Sequence, residues 1–165
     1  MKVTVQTADN FTPARRSKLD QAVALMAQVL SSPDFAADVL KYPFMDDSGL
    51  TNEGILTKLS AGAELLDPVA DQECDLYLKI YWPSWFKKWS VIGYGYANER
   101  TIYCNGYWFD RMTIAEIAGN LAHEWCHKAG FEHDFRATNR RPNSVPYAIG
   151  NLVEHYAKKF LGLPT

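Results

Sequence analysis

Three of the four histidines in this chain fall between positions 123 and 133, and no other feature limits the possible local fold as strongly. Upstream of them, Thr113 and Glu116 have the spacing of a capping box, in which both side chains satisfy free backbone amides at the start of a helix. Downstream, Gly130 can adopt the left-handed conformation that ends many helices. The pattern predicts a helix over residues 114–129 that carries the first two histidines on its last turns.

The spacing of these histidines is also that of ligands to one metal ion. His123 and His127 are four residues apart, so on a helix their imidazoles lie on one face, one turn apart. Gly130 permits a sharp turn without steric cost, and this turn can bring His133 back as a third nitrogen ligand. Three neutral imidazoles leave one position open for water, as in catalytic zinc sites. The sequence therefore predicts that these three side chains bind zinc.

Glu124 follows the first of these histidines directly, so on the helix it points about a quarter turn away from their face. From there its carboxylate can contact a water on the metal without binding the ion itself. As a general base, it would take a proton from that water and later deliver it to a leaving amine. These roles predict zinc-dependent hydrolysis of a peptide bond, with a peptide or protein as the substrate.

Residues 123–134 fit the pattern HExxHxxGxxH followed by Asp, which resembles the zinc signature of the metzincin metallopeptidases. The resemblance implies a zincin-like α+β fold, in which a small, mixed, twisted sheet packs on the active-site helix and further helices lie on the N- and C-terminal sides. It gives the ligand role to His123, His127 and His133, and the base role to Glu124. It also implies that an edge strand above the cleft pairs with an extended substrate.

The chain departs from the metzincin pattern at the methionine turn, because no Met follows Met112. Ser144–Tyr147 occupies about the region of that turn. Some metzincins place a Tyr shortly after it, where the phenol can approach the metal or the oxyanion. Tyr147 is therefore a candidate catalytic residue, and packing under the final helix is the alternative.

Composition favours a single soluble domain over residues 1–165. Hydrophobic residues make up 47% and charged residues 22% of the chain, which is typical of a globular protein. The net charge is −2 and no basic run occurs, which argues against nucleic acid as a partner. No stretch reaches the roughly 18 apolar residues that span a bilayer, and the N-terminus lacks the apolar core of a secretory signal. We expect a cytoplasmic monomer without a membrane partner, unless a non-Sec route exports it.

Hydrophobic periodicity and caps predict the remaining elements. We expect strands at residues 2–7, 75–81 and 101–104, and helices from about residue 13, over 35–42, from Thr51 and from Pro146. Gly93 and Gly95 interrupt an aromatic-rich stretch, residues 82–109, and indicate a bulged or exposed edge strand. The aromatic side chains of this stretch either fill the core or line a substrate surface.

The three cysteines fit no zinc-ribbon or CxxC spacing. We expect Cys74, Cys104 and Cys126 to be small buried hydrophobic residues. A disulfide between Cys104 and Cys126 is the alternative.

Two further interpretations of the site stay open at this point. Glu154, on the final helix, could replace His133 as the third ligand in the manner of gluzincin peptidases. Alternatively, the chain could be a zinc-stabilised binding or toxin-like module without activity. Glu124 argues against such a module, since a purely structural site has no use for it.

Overall fold

The computed structural model of this protein describes residues 1–45, 48–84, 91–96 and 98–165. Over these residues it is a mixed α+β structure with one four-stranded sheet and six helices. The strands are β1 (Lys2–Asp9), β2 (Glu73–Tyr81), β3 (Gly93–Gly95) and β4 (Thr101–Asn105). The helices are α1 (Pro13–Leu30), α2 (Pro33–Lys41), α3 (Asn52–Ala61), α4 (Gly106–Arg111), α5 (Ile114–Lys128) and α6 (Val145–Phe160), with a 3-10 turn at Arg141–Asn143 before α6.

The sheet is mixed and has the strand order β1-β2-β4-β3. β1 and β4 both pair in parallel with β2, whereas β3 pairs antiparallel with β4. Side chains along β2 alternate between buried and half-buried, because one face of the strand packs on the core. β4 is therefore an inner strand and β3 an edge strand, as Thr101–Cys104 and the glycines of the aromatic stretch predict.

Polar side chains at the first position before each helix explain where most of the helices begin. Such a side chain accepts a hydrogen bond from a backbone amide of the first turn in α1 to α5, at Thr12, Ser32, Thr51, Asn105 and Thr113. The capping box predicted for α5 is complete, because the Glu116 carboxylate also accepts from the Thr113 amide at 2.6 Å. α4 was not predicted, and its cap, Asn105, is the last residue of β4, where it pairs with Tyr81 of β2.

α5 forms the centre of the fold. It packs against α6 along its length, against α1, and against the edge strand β3. Its apolar face includes the fully buried Trp125. α5 and α6 cross closely at Gly119 and Gly150, where a Cβ on either residue would lie less than 3 Å from the other's carbonyl oxygen. This crossing brings the first turn of α6 alongside the end of α5 that carries the histidines.

The cysteines are free and buried, so they act as small hydrophobic residues and the alternative disulfide does not form. Burial raises the pKa of all three thiols, that of Cys104 to about 12. The aromatic stretch belongs only in part to the core. Phe109 is buried, whereas Trp82 and Tyr96 are more than half exposed. Trp85, Phe86 and Trp89 lie outside the described residues.

No single helix in the described ranges has both the length and the apolar content needed to cross a membrane. α1 and α2 reach that length and composition only together, across a bend of 66°. Both helices contribute buried side chains to the core, among them Leu19 and Met26 of α1 and Phe35 of α2.

Candidate metal centre

The end of α5 and the turn after it bring the three predicted ligands together. One ring nitrogen from each of His123, His127 and His133 lies within 4.8 Å of the others. The ring centroids are 5.2 Å apart for the first two histidines, and 5.3 and 4.8 Å from each of these to His133. Nitrogens on one tetrahedral zinc ion are about 3.4 Å apart, as bond lengths of about 2.1 Å require. The three nitrogens are therefore close enough together to be ligands of one ion.

A glycine turn accounts for the return of His133. Gly130 has a φ of +87°, and its amide donates to the carbonyl of His127. The amide of Phe131 donates to the carbonyl of Cys126. This pair of bonds is the Schellman motif, which ends a helix and reverses the chain direction. The predicted left-handed glycine is confirmed, and Phe131 is fully buried beneath the turn.

Backbone carbonyls fix the tautomer of two of the three imidazoles. Nδ1 of His127 donates to the carbonyl of Phe131 at 2.8 Å, and Nδ1 of His133 donates to the carbonyl of Asp134 at 3.0 Å. A carbonyl oxygen only accepts, so Nδ1 carries the hydrogen in both rings. Nε2 of each ring therefore keeps a free lone pair, and the hydrogen bond fixes the orientation of the ring.

Burial favours the neutral form of the imidazoles. It lowers the pKa of His123 to about 3, with further contributions from the neighbouring rings of His127 and His133 and from the positive charge of Arg141. A hydrogen bond to the backbone of Pro146 acts in the opposite direction. The pKa of His127 is also lowered, mainly by burial. Protons therefore compete weakly with a metal ion for these nitrogens near neutral pH.

Glu124, the residue after His123, is buried on the face of α5 that lies under β3. Its exposure is 4%, and within the described part of the chain its carboxylate makes no hydrogen bond or ion pair. Burial raises its pKa to about 7, against the opposing effect of the positive charge on Lys128. Buried carboxylates are nearly always paired, so an unpaired one requires an explanation.

The edge strand β3 lies directly over the row of α5 that contains Glu124. Asn120, Glu124 and Lys128 are four residues apart and share this face. A Cβ on Gly93 would be 3.2 Å from the Asn120 side-chain oxygen and 3.4 Å from a Glu124 oxygen. A Cβ on Gly95 would be 2.6 Å from Lys128 Nζ. Glycine at both positions therefore allows the strand to approach the helix.

Lys128 ties the strand and the helix together. Its side chain is buried, with 6% exposure, and Nζ donates to three backbone carbonyls. The acceptors are Tyr96 at 3.0 Å, Glu99 at 2.8 Å and Thr101 at 3.3 Å, which span the connection between β3 and β4. The helix that carries two candidate ligands thus also fixes the strand above Glu124.

Tyr147 lies in the first turn of α6, next to the histidines. Its ring centroid is 4.6 Å from that of His123 and 4.9 Å from that of His133. The two residues before it, Val145 and Pro146, are buried. The first turn of α6 therefore places an aromatic side chain against two of the histidines. This chain has no Met after Met112 that could form a methionine turn there.

Glu154 is not brought to the histidines. Its carboxylate pairs with Lys158 at 2.7 Å, and its Cβ faces Gly119 on the earlier part of α5. Among the described residues, His123, His127 and His133 form the only group of three that could hold a metal ion. The fourth histidine, His155, is exposed.

Sequence analysis did not identify two charged residues near the site, Lys128 and Arg141. The spacing of Lys128 from Glu124 places it on the same helix face, but its three acceptors are distant in sequence. Arg141 carries no local signal that relates it to the histidines.

No family model, no curated protein and no solved structure matches this chain.

Proposed function

We propose that this protein is a zinc-dependent peptidase with a zincin-like fold, most simply a metzincin-like endopeptidase. The observation that carries the proposal is the group of three histidines whose nitrogens lie within 4.8 Å of one another, together with the buried, unpaired carboxylate of Glu124 on the same helix. Burying a carboxylate is costly, and groups of this kind concentrate at functional sites. A structural zinc site would not need it.

His123, His127 and His133 would hold the zinc ion. Their chemistry fits this role, because borderline-soft zinc accepts imidazole nitrogen and two of the rings are fixed with Nε2 free. A zinc ion on three neutral ligands supplies a Lewis acid that polarises a carbonyl and lowers the pKa of water. The resemblance of residues 123–134 to the metzincin signature implies the same ligand set.

Glu124 would act as the general base and acid. One carboxylate oxygen takes a proton from the attacking water, and the carboxyl group then gives that proton to the leaving amine. Among the described residues its carboxylate makes no hydrogen bond or ion pair, so it is free to accept the proton. Lys128, one turn further along α5, keeps a positive charge near the ionised form.

The edge strand supplies a place for the peptide. β3 pairs with β4 along one edge, and its other edge has no strand partner in the described ranges. An extended peptide can add to such an edge through backbone hydrogen bonds. Gly93 lies next to Glu124, so a peptide paired with β3 would run past the proposed base.

Tyr147 would assist the reaction from the first turn of α6. A phenol hydroxyl near the reacting carbonyl can donate a hydrogen bond to the oxyanion that develops there. The contacts of its ring with His123 and His133 support this role. Replacement by Phe separates it from simple packing, because Phe keeps the ring and removes only the donor.

The two alternatives have less support. The gluzincin-like set requires Glu154, whose carboxylate pairs with Lys158 instead. A non-catalytic zinc module leaves the burial of Glu124 without an explanation.

The test compares the parent protein with Glu124→Gln, and uses Glu53→Gln, on the exposed first turn of α3, as a matched control. Zinc content is measured by elemental analysis and hydrolysis with a quenched fluorescent peptide library. We expect all three proteins to bind one zinc ion and to fold, and only Glu124→Gln to lose hydrolysis, by at least about a hundredfold. Equal hydrolysis by Glu124→Gln, or no hydrolysis by the zinc-loaded parent, would refute the proposal.

A further inference from the structure

Arg141 brings a positive charge close to the three histidines. Its guanidinium carbon lies 5.0 Å from the ring centroid of Tyr147, whose ring contacts His123 and His133. Among residues 1–45, 48–84, 91–96 and 98–165, no carboxylate forms an ion pair with it. The nearest acids in sequence contact other groups: Glu132 lies near His127, and Asp134 accepts from the Thr138 hydroxyl.

The hydrogen-bond donors of Arg141 are also only partly used. Nη1 donates to the carbonyl of Phe135 at 3.3 Å, whereas Nε is buried and has no acceptor. Buried donors without acceptors are rare in folded proteins, and each requires an explanation. The residue as a whole is only half-buried, which leaves part of the side chain open to a ligand.

The charges around the site indicate the chemistry of that ligand. With zinc bound, the ion, Arg141 and Lys128 would be positive, and among the residues that the structure describes Glu124 is the one fully buried acid. An anion would compensate this excess. A guanidinium binds carboxylates through two parallel N–H···O bonds, which makes it more selective for them than a simple positive charge.

We propose that Arg141 is a specificity-determining residue that binds a carboxylate of the peptide substrate. This inference rests on the proposed peptidase function, and it defines the substrate class as peptides with a carboxylate close to the scissile bond. The carboxylate comes either from the free C-terminus of the peptide or from an Asp or Glu side chain.

The experiment measures peptide binding to the zinc-loaded Glu124→Gln protein, which does not depend on turnover. The probes are fluorescein-labelled octapeptides of Ala and Leu, with a C-terminal acid or amide, and with Glu or Gln placed in turn at each internal position. We expect at least one carboxylate peptide to bind about tenfold more tightly than its neutral partner. The terminal pair and the internal pairs identify which source of carboxylate is used.

Substitutions then assign this preference to Arg141. In the same background, Arg141→Gln should bring the ratio of the two affinities to about one, and Arg141→Lys should retain part of it. Arg140→Gln is the matched control, because this neighbour is exposed and donates instead to the carbonyl of Met45. A purely structural role for Arg141 would weaken the binding of both peptides equally and leave their ratio unchanged.

Two results would overturn the inference. One is equal affinity for the acid and the neutral peptide of every pair in the zinc-loaded Glu124→Gln protein. The other is a preference for the acid peptide that persists when Arg141→Gln is added. The second result would assign the carboxylate to the zinc ion. If Arg141→Gln does not fold, the ratio of acid-peptide to neutral-peptide affinity is compared between Glu124→Gln alone and Glu124→Gln with Arg141→Lys, and an unchanged ratio overturns the inference. If carboxylate binding depends on Arg141 but the unsubstituted protein hydrolyses no peptide, the proposed function fails and the carboxylate site stands. If the unsubstituted protein hydrolyses peptides but no carboxylate preference is found, the proposed function stands and the carboxylate site fails.

Discussion

Replacing Lys128 with Met removes the ammonium group that joins α5 to the connection between β3 and β4. Most of the aliphatic volume stays, so little cavity forms. Three backbone carbonyls lose a charged donor at 2.8 to 3.3 Å. Hydrogen bonds to charged groups contribute about 1.5 kcal/mol or more each, and relief from burying the ammonium offsets about half of that. We expect a net loss of about 2–3 kcal/mol in the free energy of unfolding.

That loss corresponds to a fall in Tm of between about 4 and 12 °C for a chain of this size. Thermal and urea unfolding of the Lys128→Met protein measure it. Hydrogen exchange should also show faster exchange of the β3 amides, while zinc binding stays intact. Lys41→Met, on the exposed end of α2, is the control and should cost less than about 1 kcal/mol. If Lys128→Met is as stable as the control and β3 exchanges as in the parent, Lys128 does not fix the edge strand.

Two further predictions concern the pH dependence of stability and the state of the thiols. The Arg15 guanidinium beside Asp110 lowers the pKa of that carboxyl, so the pair stabilises the folded protein above the unfolded-state pKa near 3.9 and stops doing so as the pH falls through the lower, folded-state value. Urea unfolding should therefore show that Asp110→Asn is less stable than the parent at pH 7, by less than about 1 kcal/mol in the free energy of unfolding. This difference should shrink toward pH 2, and a difference that stays constant with pH would contradict the prediction. Burial raises the pKa of all three cysteine thiols, so iodoacetamide at pH 8 should label them only after unfolding, and rapid labelling of the native protein would show that they are accessible.

Local signals in the sequence predicted the parts of the site that depend on neighbouring residues. The capping box at Thr113 and the left-handed turn at Gly130 are completed within a few residues, and they fix where α5 begins and ends. With both ends fixed, the spacing of the histidines determines that they share a face. The convergence of His133 with the other two follows from the same turn.

The parts that the sequence did not predict depend on residues far apart in the chain. Lys128 is buried only because the connection between β3 and β4 supplies three carbonyls, and periodicity along α5 contains no information about them. The approach of Tyr147 to the histidines depends on the crossing of α5 and α6. Helix α4 is short and depends on its Asn105 cap, so hydrophobic periodicity gives no signal for it.

The ligand set is tested most directly by titrating zinc into metal-free parent, His133→Ala and Glu154→Ala proteins. We expect the parent and Glu154→Ala to bind one zinc ion with the same affinity. His133→Ala should bind at least about a hundredfold more weakly, because one of three nitrogen ligands is lost. Undiminished binding by His133→Ala, or loss of binding in Glu154→Ala, would contradict a zinc site formed by the three histidines.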